Sequence, residues 1–207
     1  MDDAMTVDVR PGSAARDAAG LVLGLSVLTA SAILARRPRS QTEIDLFRSA
    51  NDLPNEAFRP IWAVMQYGTF GAVPAVATVA LAARRPRLAA SIAIGGTAAW
   101  VTAKAVKRVV ARGRPASIVG DVRQRGAEEG DQGFPSGHAA VSTAMTVVIW
   151  PEVPPGGRLT LAALTGLVPF GRMYVGAHLP LDLVGGSALG LALGSAINLF
   201  RHTDGSA

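Results

Sequence analysis

Uncharged apolar stretches alternate along the chain with short charged ones. Ala18–Ala35, Pro60–Ala83, Leu88–Ala103, Gly137–Trp150 and Leu159–Gly171 contain no Asp, Glu, Lys or Arg, and Leu179–Phe200 is interrupted only by Asp182. A helix that crosses hydrocarbon needs about 20 apolar residues. The second and sixth runs meet that length alone. The third, fourth and fifth are short and must extend into neighbours that include Lys104, Lys107, His138 and Arg172. Ionisable groups at such depth face a protein interior or a watery cavity. The pattern predicts an all-α fold, a bundle of six transmembrane helices. Residues 1–17 form a polar N-terminal tail, 18–200 a single membrane domain, and 201–207 a C-terminal tail.

The connections read from punctuation. Arg36–Arg59 and Arg112–Gln132 are expected as the two longer loops, and Pro151–Gly157 as a turn. Arg36-Arg37-Pro38-Arg39 and Arg84-Arg85-Pro86-Arg87 each follow a run ending in Ala. Arg anchors the helix end while Pro prevents continuation. In the last run Gly186, Gly190 and Gly194 share one helix face, which lets another backbone approach closely. That face is expected to pack inside the bundle, and the oligomeric state is left open.

Composition refines this picture. The chain is 49% hydrophobic but only 5% aromatic, with 23 Gly, so its apolar content is mainly small and aliphatic. A soluble core can be built that way too; six uncharged runs in 207 residues decide for the membrane. The net charge of +5 comes from Arg at the ends of runs, not interleaved with aromatics. Snorkelling anchors among membrane lipids account for it, and a nucleic-acid partner is not expected. With no cysteine, disulfides and thiolate metal sites are excluded. Residues 1–17 carry Asp2, Asp3, Asp8 and Asp17 and lack a positive leader, so the first run is expected to be retained as a helix. The two Arg-Arg-Pro-Arg clusters would lie on opposite sides, and the side after the first, third and fifth runs carries at least as many Lys and Arg as the other, which gives no orientation from charge.

Three polar clusters fall on one predicted membrane side: Lys107-x6-Arg114-Pro115, Pro135-Ser136-Gly137-His138, and Arg172-x5-His178-x3-Asp182. Lys107, Arg114 and Arg172 are three cations, and the Arg fork suits phosphate oxygens. Ser136 adds a hydroxyl donor, and Gly137 lets a backbone N–H approach a ligand near a helix N-terminus. Together they suit a tetrahedral oxyanion and its transition state. His178 and Asp182, four apart, would share a face of a helix. The carboxylate would then accept one imidazole N–H and leave the other nitrogen as nucleophile. His138 would protonate the leaving oxygen and later activate water. Read singly, each residue also fits a plain role: Arg as a snorkeller, Asp182 as a helix cap, Pro-Ser-Gly as a turn. A metal triad of His138, His178 and Asp182 is the rival reading, and the three cations would repel its ion.

In order and spacing these clusters resemble the three-part signature of the type 2 phosphatidic acid phosphatase superfamily, over Lys107 to Asp182. The resemblance implies a six-helix membrane phosphatase acting on a lipid phosphate, with His178 forming a phosphohistidine, His138 as acid and base, and Asp182 as orienter. It implies Lys107, Arg114, Ser136, Gly137 and Arg172 as phosphate ligands, no metal or other cofactor, and an active site on the outer side of a bacterial cytoplasmic membrane. One departure is visible: the family's third motif begins Ser-Arg, and here it is Gly171-Arg172. Phosphatidic acid, phosphatidylglycerol phosphate and polyprenyl phosphate or diphosphate are all candidate substrates. Phosphotransfer to a lipid acceptor and non-catalytic headgroup binding are the alternatives. The loop Ala116–Gln132, with Glu128, Glu129 and Asp131, reads as a solvated segment, or else as a flap over the pocket.

Overall fold

A computed structural model describes residues 13–126 and 130–204, so Asp2, Asp3, Asp8, Glu128 and Glu129 lie outside the described residues. Among the described residues eight α-helices follow in order: α1 Ser13–Ala35, α2 Gln41–Asn51, α3 Phe58–Met65, α4 Ala72–Ala82, α5 Pro86–Val110, α6 Gly137–Ile149, α7 Pro155–Tyr174 and α8 Pro180–Asp204. Among the described residues there is no strand, only a lone antiparallel bridge between Gly113 and Gln132. All six apolar runs are helical. Within the described residues three helices (α1, α5 and α8) are long and apolar enough to cross a membrane, and the bent pair α3–α4 makes a fourth span if counted as one.

Three expectations need correction. The second run is not one straight helix: it breaks after Met65, and α4 leaves at 70° to the preceding segment. The break contains Gln66-Tyr67-Gly68-Thr69, uncharged and therefore invisible to a charge count. The loop Arg36–Arg59 contains α2, and the Pro151–Gly157 turn is already helical from Pro155. At the N-terminal end, α1 starts at Ser13, and Asp17 is buried within it.

α6 is the hub. Ala139, Ala140, Val141, Ala144, Met145 and Val148 are all fully buried, and α5, α7 and α8 pack around it. The glycine face of α8 lies here. A β-carbon on Gly190 would sit 2.4 Å from the Ala140 carbonyl oxygen, and one on Gly186 would sit 2.4 Å from that of Ser136. The expected packing of these glycines inside the bundle is thus observed. On the other flank of α8, a β-carbon on Gly24 of α1 would sit 2.6 Å from the Ala192 nitrogen and 2.7 Å from the Ala188 oxygen. Without a hydrophobic force between helices in lipid, such close approach is what gains dispersion contact. The outer faces carry exposed Val22, Leu23, Ile33, Val79, Ile94, Val101 and Leu159. So large an apolar surface suits a lipid environment and would be a liability in water.

The break between α3 and α4 is braced internally. Tyr67 Oη lies 3.0 Å from Thr146 Oγ1, which lies 2.6 Å from Thr165 Oγ1; that hydroxyl donates to the Leu161 carbonyl. Irregular backbone at membrane depth persists only where protein or a cavity satisfies it. Away from the motif clusters, Asp17 meets His202 Nε2 at 2.9 Å, while Glu152 pairs with Arg85 at 3.1 Å and with Arg201. These contacts join α1, the start of α5, the α6–α7 connection and α8.

Gly190→Ala is therefore expected to lower the thermal midpoint of the detergent-solubilised protein, at a cost of roughly 1–3 kcal/mol for overpacking. Gly166→Ala, whose β-carbon meets nothing within 4 Å in α7, should leave the midpoint unchanged or raise it. Equal midpoints for the two variants would refute this packing account.

Candidate active site

Each motif residue is placed by a helix terminus. α5 ends at Ala111, which takes a left-handed conformation (φ 50°) with its N–H on the Lys107 carbonyl. The turn sends Arg112 back inward. The chain returns from the following loop at Gly133, whose N–H donates to the Arg112 carbonyl at 2.7 Å. Lys107 Nζ donates to the carbonyls of Gln132 and Gly133 at 2.7 and 2.9 Å, so it tethers the strand of chain that leads into α6. Ser136 is the N-cap of α6, accepting from the Ala139 N–H, and its own N–H donates to the Asp182 carbonyl at 2.8 Å.

α7 ends in a Schellman turn. Gly176 sits at φ 81°, its N–H on the Met173 carbonyl, and the Ala177 N–H reaches the Arg172 carbonyl at 3.0 Å. The His178 N–H reaches that same carbonyl at 3.3 Å. Glycine is required at 176: besides the positive φ, a β-carbon would sit 2.8 Å from the Arg123 oxygen. The turn folds His178 back against Arg172, and Arg114 Nη1 donates to the neighbouring Ala177 carbonyl at 2.8 Å. Clusters distant in sequence therefore meet.

His178 precedes α8, which begins at Pro180, so the pair does not share a helical face as expected. It meets nonetheless, with Nδ1 of His178 3.5 Å from Oδ2 of Asp182. The reason is local: Asp182 Oδ2 accepts the Leu179 N–H at 3.0 Å, reaching back over the first turn as in a capping box. The plain role of Asp182 as a cap is thus real, and it also aims the carboxylate.

The other oxygen reveals residues that sequence reasoning missed. Arg112 Nη1 donates to Asp182 Oδ1 at 2.8 Å, and its Nη2 donates to Glu43 Oε2 at 2.6 Å. Glu43, from α2, also accepts the Leu181 N–H at 3.1 Å. All three side chains are at most 6% exposed. Burial alone would favour a neutral Arg112, but the hydrogen bond to Glu43 and the charge of Asp182 outweigh it and hold the guanidinium protonated more firmly than usual. A signal for α2 was present: Ser40-x-x-Glu43 is a helix-start pattern, with Glu43, Phe47, Ala50 and Asn51 on one buried face. Nothing local pointed to Arg112 as the partner of Glu43, 69 residues away.

Beside this network lies a cavity of about 230 Å³. Of the predicted residues, Arg114, His138 and Arg172 line it; Lys107, Ser136, Gly137, His178 and Asp182 are not among its lining residues. Trp62, Met65, Gln66 and Thr69 of the α3–α4 region form the opposing wall, with Gln124, Arg125 and Gly126 from the loop. Arg125 is held there by Asn55 Oδ1, the carbonyls of Asn51 and Leu53, and the Tyr174 ring at 4.2 Å. Gly68, in the break, packs so closely that a β-carbon would lie 2.7 Å from the His138 oxygen. The departure at Gly171 also has its reason: Met65 Cγ would lie 2.6 Å from a β-carbon there, so methionine fills the space a serine side chain would take. Among the described residues, no three His, Asp or Glu side chains converge as a metal-holding group.

The PAP2 superfamily model matches residues 86–205, more than half of the chain. An undecaprenyl-diphosphatase of Sulfolobus acidocaldarius is 28% identical over 118 residues, which are 57% of this chain and 57% of that protein. The crystal structure of Aquifex aeolicus LpxE superposes with a TM-score of 0.71 at 19% identity, over 78% of this chain and 97% of that one. A transmembrane PAP2-type phosphatidylglycerolphosphate phosphatase from Bacillus subtilis gives 0.67 at 17% identity, over 87% and 96%. The architecture is thus one already seen in a transmembrane protein, and with its apolar spans it makes this an integral membrane protein. The motif spacing, the convergence of the three clusters and the extent of the family match agree, and the chain belongs to the PAP2 superfamily.

Proposed function

We propose that this protein hydrolyses a lipid phosphate ester or anhydride through a phosphohistidine on His178. One observation carries the reading: Nδ1 of His178 lies 3.5 Å from Oδ2 of Asp182, and His178 follows Ala177, which lines a cavity together with Arg114, Arg172 and His138. Its Nδ1 faces the carboxylate, which leaves Nε2 with the lone pair for attack on phosphorus. As the N–P bond forms, the bond from phosphorus to the lipid oxygen breaks, and His138 gives that oxygen a proton. His138 then takes a proton from water as the water attacks the phosphohistidine, and inorganic phosphate leaves. Arg114 and Arg172 hold the equatorial oxygens as charge develops on them.

The remaining ligands take supporting places. Ser136, with its oxygen engaged as an N-cap acceptor, keeps its hydroxyl proton to give. Gly137 has open space where a β-carbon would stand, so the N-terminus of α6 is accessible to an anion. Lys107 acts by holding the 132–133 segment and by its charge. The three cations suit an anion and repel a divalent ion, which supports hydrolysis without a metal. Phosphatidic acid, phosphatidylglycerol phosphate and polyprenyl diphosphate share the chemistry the site would recognise, and the site is proposed to face the outer side of a bacterial cytoplasmic membrane.

Purified protein in detergent with EDTA should release phosphate from at least one of these lipids, and His178→Ala should lower kcat by at least about 10³-fold, as for loss of a nucleophile. Turnover unchanged in His178→Ala, or abolished by chelation alone, would reject the reading. His138→Ala should slow lipid esters far more than p-nitrophenyl phosphate, whose leaving group needs little protonation; equal losses would remove that role. The chain has no cysteine, so Gly120→Cys, at an exposed site with nothing within 4 Å, gives a single label. Reaction with an impermeant maleimide on intact cells is expected, and protection until lysis would place the site on the other side.

A further inference from the structure

The carboxylate that aims His178 is itself one end of a buried chain of charges. Glu43, Arg112 and Asp182 are joined by two-point contact through one guanidinium, at 2.6 and 2.8 Å. Each carboxylate is closed off by a backbone N–H as well, Leu181 on Glu43 and Leu179 on Asp182. Asp182 and Arg112 alone would sum to zero, whereas the three together carry one net negative charge. Glu43 comes from α2, which precedes the region matched by the family model.

That charge matters during phosphoryl transfer. When Nε2 of His178 attacks phosphorus, Nδ1 keeps its proton, so the imidazole becomes cationic in the covalent intermediate. A neutral Arg112–Asp182 pair offers that cation little, and a net negative group stabilises it strongly in a buried setting. We propose that Glu43 is a positioning residue for phosphoryl transfer: it returns to the His178–Asp182 pair the negative charge that Arg112 offsets, while Arg112 fixes the plane of the carboxylate. This rests on His178 being the nucleophile. The phosphate itself is balanced by other cations, Arg114 and Arg172 at the cavity.

Charge and scaffold roles separate in a double-variant cycle. Glu43→Gln keeps the shape and removes the charge. It should lower kcat, and the single-turnover rate of phosphohistidine formation, on the order of tenfold with KM nearly unchanged, as for one buried charge lost near the reacting group. Arg112→Gln together with Glu43→Gln brings the group back to one net negative charge and should turn over faster than Glu43→Gln alone, although more native contacts have been removed. A scaffold role predicts the reverse, with losses that accumulate and melting temperatures that fall in parallel. Glu43→Gln with the wild-type rate, or a double variant no faster than the single, overturns the proposal. Where Glu43→Gln does not fold, Glu43→Asp reads the same charge: kcat within about threefold of wild type is expected, and a loss of tenfold or more counts against it. A wild-type protein without turnover on any phosphate ester would remove the phosphatase reading with it. Normal turnover that His178→Ala abolishes and Glu43→Gln leaves intact would remove this proposal alone.

Discussion

A carboxylate without compensation cannot persist inside a membrane bundle, and much of this structure satisfies one such group, Asp182. It is fully buried and takes hydrogen bonds from Arg112 and the Leu179 backbone. Moving a charge out of water costs several kcal/mol even after relaxation, so these donors must be held in place. Holding them accounts for the left-handed turn at Ala111, for the return of Gly133 to the Arg112 carbonyl, and for the inward face of α2. The Schellman turn after α7 serves the same point from the other side, because it delivers His178 to the remaining edge of the carboxylate.

Around that fixed point the bundle is assembled from small residues. Glycines on α8 and α1 bring backbones together where lipid supplies no hydrophobic drive, and α6 becomes a buried post on whose first turn Ser136 and His138 sit. The rigidity of that post is useful to chemistry: two of the groups near the cavity are carried by a helix that cannot tilt without parting four close backbone contacts, at Gly68, Gly186, Gly190 and Gly194.

Local patterns carried much of this in advance. The apolar runs announced the helices because burial in lipid forbids charge along the whole length, and the three clusters announced the candidate site because each is a short stretch at helix termini. Three features escaped, each because its cause lies elsewhere in the chain. Glu43 falls in a stretch that reads as a loop, although Ser40-x-x-Glu43 fits a helix start, and its partner Arg112 reads only as the first residue of another loop. The bend at Gln66–Thr69 carries no charge, and its reason is the backbone of His138 and the hydroxyls of Thr146 and Thr165. Gly171 looked like a missing hydroxyl; only Met65, brought across from α3, shows what fills the place.

The size of the cavity sets a limit on what the protein can sense. At about 230 Å³ it falls short of the roughly 300–1,000 Å³ that encloses a drug-sized ligand. On the proposed reading it admits a phosphorylated head and a few adjoining atoms, while acyl or prenyl chains stay outside in the bilayer beside Trp62, itself half-exposed on α3. Tail length and saturation then go unread, and membranes of different lipid make-up present the same molecule to the same groups. Discrimination falls to the few atoms around the scissile oxygen.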